Sequence, residues 1–299
     1  MSALNNIIVS FVKILPKSVV HIFAKKYIAG SKLSDAIEVT QKLNSKGICA
    51  TLDVLGESIT TREEAIQEKE ECFRVLEQIN ENNLDANLSI KPTSLGLSID
   101  KEFFYSQMKE VLTKAKGFNN FVRVDMEDSP YTSVTIEIFK RLQREFDNVG
   151  IVLQAYLKRT VSDVDELNKT NTNYRLCKGI YVEPEEIAFK DKQKIRDNFL
   201  MLVEKMLKNK SYVGIATHDK PLVDGSYKII DKMNLQKDEY EFQMLYGVTE
   251  KLRNKINSDG HKIRVYVPYG ENWHAYSLRR MQENPEIALH IAKSIFQFN

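Results

Sequence analysis

At 299 residues the chain is long enough for one large α/β domain or two ordinary ones, and no linker composition divides it. Its 43 Lys and Arg against 41 Asp and Glu leave a net charge of +2, so no overall field favours nucleic acid, and no nucleic-acid motif or long basic run lies beyond the N-terminus. Cys49, Cys72 and Cys177 lack CxxC or metal-ligand spacing, which fits a reducing cytoplasm, and the five histidines never form HxH or HExxH, so no metal is expected.

Residues 1–34 carry Lys13, Lys17, Lys25, Lys26 and Lys32 and no acidic side chain, interleaved with apolar residues from Ile7 to Phe23. This is a basic amphipathic, helical segment set before the main domain at 35–299. Lys13, Pro16 and Lys17 interrupt it too early for a spanning helix, and it has no clear cleavage pattern of a signal peptide. Two placements fit it: packing on the main domain, or peripheral contact with an anionic membrane surface.

Beyond it, short β-rich runs alternate with longer helical patterns. Strands are expected at 48–55, 86–91, 121–126, 150–157, 174–180, 212–217, 240–245 and 262–267, the seventh carrying the weakest pattern. Between them lie capped helices: a Thr61-Arg-Glu-Glu64 capping box opens one that runs to about Asn82, and another runs from Asp100 to Lys116 and closes at Gly117. Eight such units, with no GxGxxG or Walker sequence after the first, favour a distorted (β/α)8 TIM-type barrel, with the N-terminal helical segment as an extra, over an open doubly wound sheet.

In such a barrel chemistry collects at the strand C-terminal ends. Those ends carry Asp53, Lys91, Asp125 with Met126, Gln154, Arg175 with Lys178, Gly179 and Ile180, Thr217 with His218, and Leu245. Asp128, before Ser129-Pro130, reads as a solvated loop residue or a helix N-cap, and a lone His218 is more often structural. Gln154, Thr217, His218, Lys178 and Gly179 together suit a large polar aromatic cofactor. Arg175 and Lys178 have opposite strand parity, so both face one ligand only if the strand ends or bends near Gly179.

Near the C-terminus Tyr276, Arg279, Arg280 and Glu283 stand at i, i+3, i+4 and i+7 and share one face of an expected helix. Adjacent guanidiniums suit a small carboxylate, and Glu283 can orient them from the next turn. By itself the run is better read as a solvated face with intrahelical ion pairs. The residues alone therefore describe a cytoplasmic barrel enzyme that binds a small carboxylate and an organic cofactor, and do not name its reaction.

Lys91, VDMED around Asp125, VLQAY around Gln154, RLCKGIY from Arg175, ATHD around His218, EFQMLYG from Glu241, RVYVPYG around Tyr266 and YSLRRMQENP from Tyr276 occur in order and closely resemble proline dehydrogenase through nearly the whole barrel. The resemblance implies FAD at the strand C-terminal ends and oxidation of L-proline to 1-pyrroline-5-carboxylate by hydride transfer to flavin N5, the first step of proline catabolism, with a quinone as electron acceptor. It implies that Arg279, Arg280 and Lys91 hold the substrate carboxylate, Tyr266, Tyr276 and Leu245 line the ring, and Asp53 lies near the pocket. On the cofactor side it implies Met126, Gln154, Arg175, Lys178, Gly179, Ile180, Thr217 and His218, with Arg175 beside N5 and Asp125 in the active site. A cytoplasmic enzyme, peripheral on the inner face of the membrane, would serve the quinone. The chain departs from the long bifunctional members at Val182, where they carry tryptophan. The rival enzyme is a Schiff-base lyase or aldolase on the same barrel, with Lys91 or Lys178 as nucleophile.

Overall fold

Alternating apolar positions in short β-branched runs can bury one strand face against helices and turn the other inward, and eight such runs close the sheet. The computed structural model describes residues 24, 26–56, 59–274 and 277. Its strands are β1 (Cys49–Val54), β2 (Ala86–Ile90), β3 (Val122–Val124), β4 (Val149–Gln154), β5 (Tyr174–Cys177), β6 (Val213–Ala216), β7 (Tyr240–Leu245) and β8 (Ile263–Tyr269). They pair in parallel in sequence order, and β1 closes on β8.

Helix α1 (Leu33–Asn44) precedes β1, and α2 (Arg62–Glu81), α3 (Lys101–Gly117), α4 (Ser129–Gln143), α5 (Thr160–Leu167), α6 (Lys192–Lys208), α7 (Lys220–Met233) and α8 (Glu250–Ser258) follow the first seven strands. The expected (β/α)8 barrel is thus the fold. Its main apolar core lies between sheet and helices: Leu52, Leu88, Val124, Leu153, Leu176, Ile215, Phe242 and Val265 of the strands pack with Phe104, Phe139, Phe199 and Leu202 of the helices.

Local chemistry explains most boundaries. Thr61 accepts from the Glu64 amide while Glu64 accepts from the Thr61 amide, which is the expected capping box at the head of α2. Asp100 accepts from the amides of Glu102 and Phe103 and starts α3, whose last helical residue is Gly117; the left-handed position falls on Asn119. Asp128 stands at the N-cap of α4 but its side chain caps nothing. Glu183 does so from the far side of the rim, accepting from the Ser129 amide at 2.7 Å and its hydroxyl at 2.6 Å.

Four strands end two or more residues from expectation. β3 is shorter at both ends, and β4 stops at Gln154, where the Leu157 amide bonds back to the Gln154 carbonyl. β5 stops at Cys177 because Gly179, at φ +107, turns the backbone out of the extended region. β8, expected to end at Val267, continues through Pro268 to Tyr269. The Tyr246 amide bonds the Tyr266 carbonyl on the β7 side, and β7 ends at Leu245, so the missing N–H of Pro268 falls beyond its neighbour and costs no ladder bond.

Of the N-terminal stretch, residues 1–23 and 25 lie outside the described residues. The remainder of that stretch packs on the barrel: the Ala29 amide donates to the Pro268 carbonyl at 2.9 Å, the Gly270 amide to the Gly30 carbonyl at 3.1 Å, and Ala24 and Ile28 pack with Leu55. Among the described residues no helix is long and apolar enough to cross a membrane.

Gly247 closes this contact. Its φ is +72, and a Cβ there would lie 1.6 Å from the Lys26 carbonyl oxygen. Gly247→Ala is therefore expected to destabilise the protein by about 2 kcal/mol or more, read as a lower denaturation midpoint, through left-handed strain plus displacement of residues 26–30.

Candidate active site

Closing a parallel sheet sends every second residue of each strand into the lumen, a space usually filled by Val, Ile and Leu. Here the lumen carries Thr51 and Asp53, Asn87 and Ser89, Arg123 and Asp125, Gln154, Arg175, Glu241 and Gln243, and Arg264 and Tyr266, nearly all of them buried. Two glycines make room for two of them. A Cβ on Gly150 would lie 2.4 Å from the Arg123 guanidinium, and one on Gly214 would lie 2.4 Å from the Gln243 amide nitrogen.

Buried charges require partners. The Asp125 carboxylate accepts from Ser89 Oγ at 2.7 Å, Arg175 Nη1 at 2.8 Å and Tyr266 Oη at 2.8 Å. Arg175 also donates from Nη1 to Ser89 Oγ at 3.1 Å and from Nε to Gln243 Oε1 at 2.5 Å, and its guanidinium lies 5.2 Å from the centre of the Tyr266 ring. Its Nη2 makes no hydrogen bond among the described residues. Burial, with the Asp125 and Asp53 charges nearby, pushes the Tyr266 phenol well above its usual range, so it stays a donor.

Lys91, just past β2, donates to both carboxylate oxygens of Asp53 at 2.7 and 2.8 Å and lies 3.5 Å from Tyr266 Oη. Asp53, Lys91, Asp125, Arg175 and Tyr266 thus form one connected cluster. Deeper in the lumen, Glu241 Oε1 accepts from Arg264 Nε at 2.7 Å and Gln243 Nε2 at 2.6 Å. Burial alone would raise the Glu241 carboxyl, but the Arg264 charge and hydrogen bond hold it down to about 2.

The other rim residues stand around this cluster. Gln154 donates its amide to the Glu127 carbonyl at 2.9 Å, and Glu127 in turn accepts from the Thr93 hydroxyl and amide. Thr217 Oγ1 accepts from the Asp219 amide at 3.1 Å. The Leu245 amide donates to His218 Nε2 at 3.1 Å, so the proton sits on Nδ1, which faces Thr249 Oγ1 at 3.1 Å. His218 therefore ties the end of β6 to that of β7, where Leu245 is half-buried. Met126 is buried beside Asp125.

Lys178 pairs with Asp219 at 3.2 Å, a carboxylate also gripped by Arg196 at 3.0 Å. The break after Cys177 removes the parity conflict between Arg175 and Lys178, and a Cβ on Gly179 would lie 2.0 Å from the Tyr156 ring. Ile180 is 45% exposed and Val182 86% exposed on the loop beyond. Tyr276, Arg279, Arg280 and Glu283 lie outside the described residues. Both lysines offered as lyase nucleophiles are held in ion pairs, Lys91 on two oxygens of one carboxylate and Lys178 on Asp219.

Ser89, Glu241, Gln243, Arg264 and Glu183 do not stand out in the sequence as site residues. The first four carry a visible signal: NLSIK, EFQML and RVYV alternate polar with apolar residues, whereas strands of a sheet buried on both faces usually run apolar throughout. Glu183 has no such signal, because it caps a helix 54 residues earlier in the chain.

A family model described as proline dehydrogenase matches residues 36–292. Proline dehydrogenase 2 of Bacillus subtilis strain 168 is 38% identical over 262 residues, covering 88% of this chain and 86% of the relative. Proline dehydrogenase of Deinococcus radiodurans is 33% identical over 279 residues, covering 92% and 90%. The crystal structure of proline utilization A from Bdellovibrio bacteriovorus, inactivated by N-propargylglycine, superposes with a TM-score of 0.82 at 25% identity over 87% of this chain, which spans 32% of that longer protein.

Glu68 of α2 flanks the cluster. Burial first, and then the Asp53 charge, push its carboxyl up to about 7, while Lys91 and Arg74 oppose the shift and Glu71 adds to it. The folded state holds this proton more tightly than the unfolded chain, so stability falls as pH rises from the ordinary glutamate range through 7. Thermal denaturation of Glu68→Gln beside the parent is expected to show a gain in Tm that grows from about pH 5 to about pH 8. An equal difference at both pH values would contradict the assignment.

Proposed function

Because this chain belongs to the proline dehydrogenase family, we propose that it oxidises L-proline to 1-pyrroline-5-carboxylate, with FAD seated on the C-terminal rim of the barrel and a quinone as the final electron acceptor. The observation that carries the reading is Arg175: a buried guanidinium held by Gln243, Ser89 and Asp125, whose Nη2 has no acceptor among the described residues. That nitrogen is not engaged by the described lumen network and can donate to an acceptor bound on the rim.

The rim fits a flavin. It offers a permanent cation at Arg175, amide and hydroxyl groups at Gln154 and Thr217, and bare backbone at Gly179, with Met126, Lys178, Ile180 and His218 around them. When bound there, FAD supplies the two-electron acceptor for hydride from the ring carbon next to the proline nitrogen. Arg175 would favour the negative charge that reduction brings to its neighbour.

The protein's own residues orient the substrate. Arg279 and Arg280 clamp the carboxylate, with Glu283 orienting them, and Lys91, neutralised by Asp53, borders the same end. Tyr266, fixed by its bond to Asp125, and Tyr276 wall the ring, with Leu245 as apolar contact. Asp125 already accepts three hydrogen bonds and serves as the counter-charge of Arg175; Tyr266 keeps its proton on Oη. A Schiff-base lyase has no support in the relatives, and both Lys91 and Lys178 are engaged in ion pairs.

In the same reading residues 1–34 are an N-terminal segment before the barrel at 35–299, and their described residues pack on it. They would give a cytoplasmic enzyme peripheral contact with the inner face of the membrane, where a quinone is reached. Flotation with anionic liposomes tests this: recovery that does not depend on the liposomes removes its support.

The purified protein is expected to show the visible bands of oxidised flavin and to lose them when proline is added without oxygen. A preparation that binds no flavin from excess FAD would overturn the reading. Arg175→Lys keeps the charge but loses the directed donor fork, so kcat should fall on the order of 10²- to 10³-fold in a dye-coupled assay.

A further inference from the structure

We infer that Gln243, seated in the slot opened by Gly214 and turned by Glu241, is the positioning residue that aims Arg175 at the cofactor; this rests on the proposed flavin reading.

Orientation starts at the floor of the network. Glu241 is 2% exposed and paired with Arg264, so it remains a carboxylate and can only accept hydrogen bonds. An amide beside it must present its NH2. Gln243 does, at 2.6 Å, and its carbonyl is thereby turned to Arg175 Nε at 2.5 Å. With a neutral residue in place of Glu241 the amide could flip and set NH2 against the guanidinium, breaking the contact.

Space is set by the strand between them. Gly214 of β6 pairs in register with Arg175 on one side and Glu241 on the other, and any side chain there would occupy the position of the Gln243 amide nitrogen. Arg175 is then held at two points: Nε by Gln243, and Nη1 by Ser89 and Asp125. Two fixed points on a planar group determine where its third nitrogen, Nη2, is directed. Removing the first leaves the guanidinium free to turn about its contact with Asp125. Charges alternate along the line: Arg264 positive, Glu241 negative, Arg175 positive, Asp125 negative, with Gln243 joining the inner pair to the outer one.

The test compares flavin-loaded parent with Gln243→Met, which keeps length and volume but loses acceptor and donor. The midpoint potential of the bound flavin is expected to fall, and kcat for proline to drop on the order of 10²-fold with KM little changed, because the substrate carboxylate is held elsewhere. A merely structural role would lower Tm without moving the potential. Should Gln243→Met not fold, Gly214→Ala displaces the amide by a single methyl and is expected to move potential and kcat in the same direction. Unchanged potential and kcat in a folded, flavin-loaded variant would overturn the inference. A parent that binds no flavin or leaves proline unoxidised would instead sink the functional reading beneath it.

Discussion

A carboxylate in the middle of a barrel is tolerable only when its lone pairs are used and its charge is balanced, and Asp125 meets both conditions at once. Ser89, Arg175 and Tyr266 converge on it from three other strands, at 2.7 to 2.8 Å. Each of those residues is fixed by that bond, so the geometry of the rim follows from how one buried charge is satisfied. The cost of breaking such a pair by deleting one member is several kcal/mol, roughly 3 to 5, which makes the cluster rigid before any ligand arrives.

The division of labour between the two faces of the sheet follows from this. The lumen face holds charged and amide side chains and the helix-facing side holds Leu52, Leu88, Val124, Ile215, Phe242 and Val265. Cohesion of the fold therefore comes mainly from the layer between strands and helices, while the lumen supplies orientation. Glycines at 150 and 214 serve that orientation, because the room they leave in the lumen lets Arg123 and Gln243 lie across the strands. Preorganised dipoles and charges of this kind stabilise developing charge without reorganising at the moment of reaction.

Much of this is legible in the chain. Eight alternating units and the capping box at Thr61 lead to the barrel, and β7 lies where the weakest pattern puts it. Asp53, Lys91, Asp125 and Arg175 are picked out at strand ends in the sequence, Tyr266 enters through the family resemblance, and the structure brings all five into one cluster. The ends of β5 and β8 are less legible because they depend on tertiary context: a glycine at positive φ in one case, and a neighbouring strand that ends before Pro268 in the other. No local pattern reveals Glu183, since capping α4 requires the β5 to α6 loop to fold back across the rim. Which partner each lumen side chain takes is likewise set by strand register and not by neighbours in sequence.

In the proposed mechanism the lumen network is built before the ligands bind and directs Arg175 at them. A crystal structure of the flavin-loaded protein with a carboxylate analogue of proline that cannot be oxidised tests it most directly. Arg175 is expected to be still bonded to Gln243, Ser89 and Asp125, its Nη2 directed at the flavin, with the analogue on the same rim beside Tyr266 and Lys91. An Arg175 released from Asp125 and swung to a new position, or a flavin bound away from this rim, would contradict it.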